Sequence, residues 1–329
     1  MTTQRSDVVA EPGAVPGAAA VRIRGLVKTY AGRNAVDGID LDIAHGEVFA
    51  LLGPNGAGKT TTVEILEGYR TRTGGEVAVL GQDPATAGLD WRARIGIVLQ
   101  SSSENAELTV AELVHHFAKY YRDSRDPEEV IVATGLAEKR GARTRSLSGG
   151  QRRRLDVALG IIGRPELLFL DEPTTGFDPQ ARRSFWQLVR ELRTDGTTIL
   201  LTTHYLDEAQ ELADRVGVIT DGRLLAVDTP DRLGGRMAHR AHVRWSDDAG
   251  SHDEVTETPT RLVAELSARH GGEVPHLEVV RPSLEDVYLS MIGDSSLGDP
   301  SGSAATANAT ATANANATAT ATVLTRELS

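Results

Sequence analysis

The apolar positions of this chain change period several times, and each change marks an element. From Val21, VRIRGLVKTY alternates well enough to predict a strand, and two more strand-like runs flank His45-Gly46 in AVDGIDLDIAHGEVFALLG. TTTVEILEGYR then shifts to a helical period, and GGEVAVLGQD returns to a strand entered through Gly74 and Gly75. IGIVLQ is a short apolar strand that runs out into the polar loop SSSENAE. Beyond it, Thr109 and Glu112 form a capping box for the predicted helix TVAELVHHFAKYYR. Val110, Leu113, Val114, Phe117, Tyr120 and Tyr121 fall on one stripe of that helix. PEEVIVATGLAEK predicts a second helix, and the pair forms a helical insertion that runs to Ser148.

ELLFLDEP is apolar without alternation, as expected of a strand in a sheet covered on both faces. FWQLVRELRTDG predicts a helix with a glycine stop, and TTILLTTH a second buried strand ending at His204. VGVITDGRLLAVD predicts a hairpin, because Asp221-Gly222 favours a tight two-residue turn. Strands alternating with helices imply a mostly parallel α/β core over 21–228, with the insertion at about 101–155. HVRW, RLVAELSARHGG and HLEVVRPSLEDVYLSMIG predict a small α+β appendage over 229–293. His239, His242, His252, His270 and His276 lie there without a compact ligand spacing, which favours scattered surface histidines over a metal site. Residues 1–20 read as a disordered lead, and the Ala/Thr/Asn-rich stretch 294–329 lacks the apolar content to fold.

Composition narrows the classes. A net charge of −11 over 329 residues argues against a general nucleic-acid binder, and the run Arg152 to Arg154 is too short to change that. The chain has no cysteine, so disulfides and thiolate metal sites are excluded. No apolar run approaches the ~18 residues that cross a bilayer. The expectation is a cytoplasmic protein whose membrane role, if it has one, needs a separate membrane-spanning chain.

The chemistry concentrates in a few places. Gly53-Pro54-Asn55-Gly56-Ala57-Gly58-Lys59-Thr60 fits G-x-x-x-x-G-K-[ST], with the strand EVFALL before it and a helix after it. Glycines let consecutive backbone N–H groups converge on phosphate oxygens. Lys59 brings a positive charge to the β- and γ-phosphates, Thr60 a hydroxyl for Mg²⁺, and Thr61 a further phosphate contact. At the end of ELLFLDEP, Asp171 is placed to hold the magnesium shell, and Glu172 to orient and deprotonate the attacking water. Adjacent carboxylates at a strand end also serve to cap helices or pair with arginines, and the P-loop weighs against that use here. His204 can reach the γ-phosphate from the next strand, and Gln100 can touch magnesium or the attacking water from the end of IGIVLQ. Ser148-Gly149-Gly150-Gln151 opens a second anion-seeking helix start, far from the first.

Together these elements resemble the ATP-binding cassette ATPases, over about residues 21 to 228. The resemblance implies a P-loop NTPase core with an antiparallel β subdomain, a helical insertion, and ATP with Mg²⁺ as the cofactors. It also explains the second helix start: two cassettes pair head to tail, and the signature Ser148-Gly149-Gly150-Gln151 of each caps the γ-phosphate held by the other. Tyr30 looks like the aromatic that stacks on adenine, Gln100 like the loop glutamine linking magnesium to the insertion. Asp171, Glu172 and His204 match the metal-associated aspartate, the catalytic base and the switch histidine. Gly176-Phe177-Asp178 stands where the family commonly has Gly-Leu-Asp, so Phe177 is a departure that leaves Asp178 in place. The C-terminal PSLEDVYL is similar to the daunorubicin-resistance-type exporter ATPases, which work with a separate integral membrane partner. The expected role is therefore the energising subunit of an exporter, peripheral on the cytoplasmic face of the membrane. The competing class is a soluble cassette ATPase acting on ribosomes or DNA; the chain shows neither paired cassettes nor a long coiled-coil insertion, and its acidity suits neither partner.

Overall fold

The structure, a computed structural model, describes residues 19–98, 107–235, 240–247 and 249–296. Gln100, His239, most of the predicted lead and nearly all of the predicted tail lie outside the described residues. The strands are β1 (Val21–Tyr30), β2 (Arg33–Ile43), β3 (Val48–Leu52), β4 (Gly74–Val79), β5 (Ile95–Val98), β6 (Leu167–Asp171), β7 (Thr198–Thr202), β8 (Arg215–Thr220) and β9 (Arg223–Asp228). Six of them form one sheet in the order β5-β6-β7-β3-β8-β9. Every pairing in it is parallel except the β8–β9 hairpin. All five residues of β3 and of β7 are buried, the signature of strands covered on both faces. A second sheet, β2-β1-β4, is antiparallel. Its Val21, Ile23, Val36, Ile39 and Val79 share one core with Phe49 and Leu51 of β3.

The helices are α1 (Lys59–Leu66), α2 (Leu89–Arg92), α3 (Val110–Ala118), α4 (Pro127–Ala133), α5 (Gly149–Ile161), α6 (Pro179–Thr194) and α7 (Leu206–Leu212). The capping box is present at α3: Thr109 accepts from the Glu112 N–H, and Glu112 accepts from the Thr109 N–H. The helix ends four residues before the predicted Arg122. Its last bonds tighten to i−3, with Tyr120 and Tyr121 donating to Phe117 and Ala118. The Tyr121 ring is drawn off the stripe to lie over Gly163, where a Cβ would sit 2.3 Å from it, and Tyr120 is left exposed. PEEVIVATGLAEK is likewise cut, by Gly135 at φ 70°. Gly135 donates to Val132 O and Leu136 to Ile131 O, a Schellman ending that buries Leu136.

The predicted turn at Asp221-Gly222 is present, with both residues at positive φ and Thr220 paired to Arg223. Farther on, β10 (Ala241–Asp247), β11 (Gly250–Thr256) and β12 (Glu278–Val280) form a third, antiparallel sheet ordered β11-β10-β12. Helix α8 (Pro259–His270) joins it, and Val243, Trp245, Leu262, Leu266 and Val274 make a separate small core. His242 pairs with Asp253 and His252 with Asp247, each at 2.9 Å, and His252 stacks on Trp245. The described residues divide into two compact units, one ending at Val287 and the other beginning at Tyr288; the last helix, α9 (Leu284–Ser296), spans that boundary.

Candidate functional site

The loop between β3 and α1 owes its shape to residues that tolerate no side chain. A Cβ on Gly53 would meet the Ile219 carbonyl at 2.3 Å, and one on Gly58 the Ala35 carbonyl at 2.4 Å. Gly58 is also left-handed, φ 106°, and as N-cap of α1 it offers no side chain to the first-turn N–H groups. Those donors therefore stay available to an anion. Pro54, Asn55 and Gly56 form the exposed rim, Ala57 is buried beneath, Thr60 is exposed and Thr61 half-buried. Lys59, buried, donates from Nζ to the carbonyls of Gly53 at 2.7 Å and Pro54 at 3.1 Å. Burial draws its pKa down, while the carboxylates of Glu172 and Asp171 pull it back up. Both acids thus lie within electrostatic reach of the cradle.

Asp171 ends β6, and its Oδ1 accepts from the Thr202 hydroxyl on β7. Glu172 takes a left-handed φ of 46°, uncommon for a residue with a side chain and held against strain. Its N–H donates to Thr202, at 3.0 Å to the carbonyl and 3.2 Å to the hydroxyl, which fixes the reversal. His204 lies two residues past the end of β7 rather than on it. Its Nδ1 is 3.3 Å from Glu172 Oε1, so the structure brings these two predicted residues together.

The predicted cap of α5 is present, as a full capping box: the Ser148 hydroxyl accepts from the Gln151 N–H, and Gln151 Oε1 accepts from the Ser148 N–H. A cavity of about 690 Å³ has Ser148 to Arg154 along one wall and Glu172 with Thr175 to Asp178 along the other. No residue of 53–61 lines it. Asp178 caps α6, its Oδ1 accepting from the Ala181 N–H at 2.8 Å. Tyr30, at the end of β1, is half-exposed under two cations, Lys28 Nζ at 5.0 Å and Arg70 Cζ at 5.8 Å from the ring centre. Phe177 is buried edge-on to Phe185, ring centres 6.0 Å apart, with Arg154 over its face.

Arg153 has a role that the sequence did not suggest, where the run Arg152 to Arg154 reads only as a basic patch. It is buried, donating to the backbone carbonyls of Asp171 and Pro173. Burial lowers its pKa, against the charges of Asp156, Asp171, Glu172 and Glu208. The start of α5 is thereby tied to the strand end that carries both acids. A helical turn of 100° per residue was the available signal, since Arg153 shares the buried face of Val157 and Gly160.

These features define a P-loop ATPase of the cassette type. The ABC transporter family pattern matches residues 36–175. The daunorubicin/doxorubicin resistance ATP-binding protein DrrA of Streptomyces peucetius is 38% identical over 306 residues, covering 83% of this chain and 92% of that protein. A fluoroquinolones export ATP-binding protein of Mycobacterium tuberculosis (strain ATCC 25618 / H37Rv) is 37% identical, covering 84% and 94%. A dimeric ATP-binding cassette solved in a post-hydrolysis state with ADP and Pi superposes with a TM-score of 0.59 at 25% identity, covering 64% of this chain and 98% of its own. The chain belongs to the ABC transporter family, as an ATP-binding cassette that hydrolyses ATP. Among the described residues no helix is long and apolar enough to cross a membrane.

Proposed function

We propose that this chain energises an exporter as the ATP-hydrolysing partner of a separate integral membrane permease. It would act on the cytoplasmic face of the membrane, as a head-to-tail pair with a second copy or a homologous cassette. The observation that carries the pairing is the division of labour inside one molecule. The cavity bearing Ser148 to Gln151 is lined by Glu172 and Asp178 but by no residue of the cradle 53–61, which supports a reading in which a second molecule supplies the phosphates that the signature would contact. The names of the relatives, drug resistance and drug export proteins, support export, with a drug, antibiotic or lipid-like cargo.

In this reading the first-turn N–H groups of α1 and Lys59 bind the β- and γ-phosphates, and Tyr30 stacks on the base. Among the described residues no three His, Asp or Glu gather as a metal cage. Thr60, Asp171 and, by its place in the family pattern, Gln100 would hold Mg²⁺ along with phosphate oxygens and water, the donor set that ion prefers. When bound, Mg²⁺ neutralises charge developing on the phosphates. Glu172 accepts the proton of the attacking water, and His204, 3.3 Å away, orients that carboxylate and the γ-phosphate. Pairing follows from differential binding: a nucleotide that bridges cradle and signature favours the closed pair, and loss of its γ-phosphate releases it.

The test is affinity purification of Glu172→Gln from native membranes with Mg-ATP, with mass spectrometry of the co-purifying chains. One polytopic membrane protein in near-equal amount is expected. Ribosomal or DNA-repair proteins in its place would overturn the transport assignment and leave the ATPase standing.

A further inference from the structure

The strand that ends in Asp171 and Glu172 is gripped by two elements remote from it in sequence. Glu172, the first residue past β6, is left-handed with φ 46°. Its own N–H donates to the carbonyl and the hydroxyl of Thr202, on β7. The carbonyls on either side of it are held from α5 instead. Arg153, only 7% exposed, donates from Nε to the Pro173 carbonyl at 3.2 Å and from Nη2 to the Asp171 carbonyl. One edge of a single guanidinium therefore spans the two residues that flank Glu172. The Glu172 carbonyl accepts from the Thr175 N–H at 3.3 Å, which closes the reversal as a turn.

A buried guanidinium is a costly way to fill space, and an apolar side chain of similar volume would pack there as well or better. What arginine supplies is a planar fork, two donors at a fixed separation, which the point charge of lysine does not reproduce. The fork answers a local need. A left-handed residue with a side chain persists only where its surroundings over-determine it, and relaxing that backbone would swing the Glu172 carboxylate away from His204, 3.3 Å from it. Arg154, the next residue along α5, turns elsewhere, to the Gly135 carbonyl at 3.3 Å and the Phe177 ring. Arg153 lies five residues from the Ser148 cap, about 7.5 Å along the helix axis, and lines the same cavity as Glu172. The helix that begins with the signature thus carries the donor that braces the catalytic turn.

We infer that Arg153 is a positioning residue of the hydrolytic step: by holding the Asp171 and Pro173 carbonyls it fixes the left-handed turn at Glu172, and with it the direction of the Glu172 carboxylate. The inference rests on Glu172 acting as the base. Its test is a mutant cycle on ATP hydrolysis by the full chain, with thermal midpoints measured alongside. Arg153→Met, which keeps the stem and removes the donors, is expected to lower kcat about tenfold while KM for ATP stays within about twofold. Arg153→Lys keeps a cation but not the fork, and should still lose about threefold or more; it decides the matter if Arg153→Met does not fold. In a Glu172→Gln background, followed by single-turnover hydrolysis, Arg153→Met should cost less than about twofold further, because the carboxylate it aims is gone. A wild-type kcat in either Arg153 variant, a loss confined to KM, or an equal fractional loss in both backgrounds overturns the inference and leaves Glu172 as the base. Wild-type turnover by Glu172→Gln itself overturns both.

Discussion

Two helix starts in this molecule attract anions, and they are built in opposite ways. Helix α1 begins at a left-handed glycine with no side chain to cap it, so its first-turn donors point outward unused by the protein. Helix α5 begins at Ser148, whose hydroxyl and backbone are both engaged by Gln151. The first is a receptor prepared in advance; the second is already satisfied within its own chain. In the proposed pairing, a ligand that takes over the Ser148 hydroxyl replaces a cap worth about 1 kcal/mol. The two events would then be separate, with nucleotide bound at α1 of one molecule and its phosphates presented to α5 of another.

Substitutions at the two starts should separate binding from pairing. Lys59→Ala removes the charge at the open start and should weaken ATP binding about a hundredfold or more in a fluorescence titration, the scale of a lost charge-assisted contact. Unaltered affinity would mean the phosphates bind elsewhere. Ser148→Ala should leave the ATP affinity of the monomer unchanged within about twofold. It should cost ~1 kcal/mol in thermal unfolding through the lost cap, and weaken Mg-ATP-dependent dimerisation of the Glu172→Gln protein about tenfold by light scattering. Equal effects on monomer binding and pairing would erase the contrast between the two helices.

The far end of α1 offers a test by pH. Burial above all, then the charges of Asp171 and Glu64, push the Glu67 pKa up to about 8 from 4.5. The folded protein therefore keeps a proton that the unfolded chain releases, and stability falls as pH rises from about 4.5 to 8. Glu67→Gln should remove this slope. Its thermal midpoint, similar to wild type at pH 4.5, should exceed it by several degrees at pH 8.5. Smallest of all should be Phe177→Leu, which trims a ring packed on Phe185 and 3.9 Å from where a Gly150 Cβ would stand. A loss of ~1 kcal/mol in stability and a kcat within about twofold are expected, measured by thermal melts and steady-state ATPase assays. A larger kinetic effect would make the start of α5 depend on this ring.

What could be read in advance was local. The cradle, the Thr109 and Ser148 caps and the Asp221-Gly222 turn each depend on a few adjacent residues whose conformational preferences agree with the fold. What could not be read depends on partners distant in sequence. The end of α3 is set by Tyr121 packing on Gly163, and the burial of Arg153 by carbonyls at 171 and 173. Strand β11, GSHDEVT, carries no apolar alternation because it is an exposed edge held by β10 alone. Glu172's left-handed backbone has no local signature either: its conformation is held by Thr202 on the neighbouring strand.

The β8–β9 turn bears on how the protein is made. Gly222 donates to the Ala57 carbonyl at 3.0 Å and accepts from the Asp37 N–H at 2.8 Å, and Ile219 closes over Gly53. Synthesis lays down the cradle sequence long before these braces, and β8 must insert beside β3 to bring them in. A nascent chain halted ahead of residue 219 thus carries every phosphate-binding residue of the loop but not the surface that shapes it. Nucleotide capture would in this sense be an acquired property of the elongating chain, expected only once the β8–β9 pair has docked.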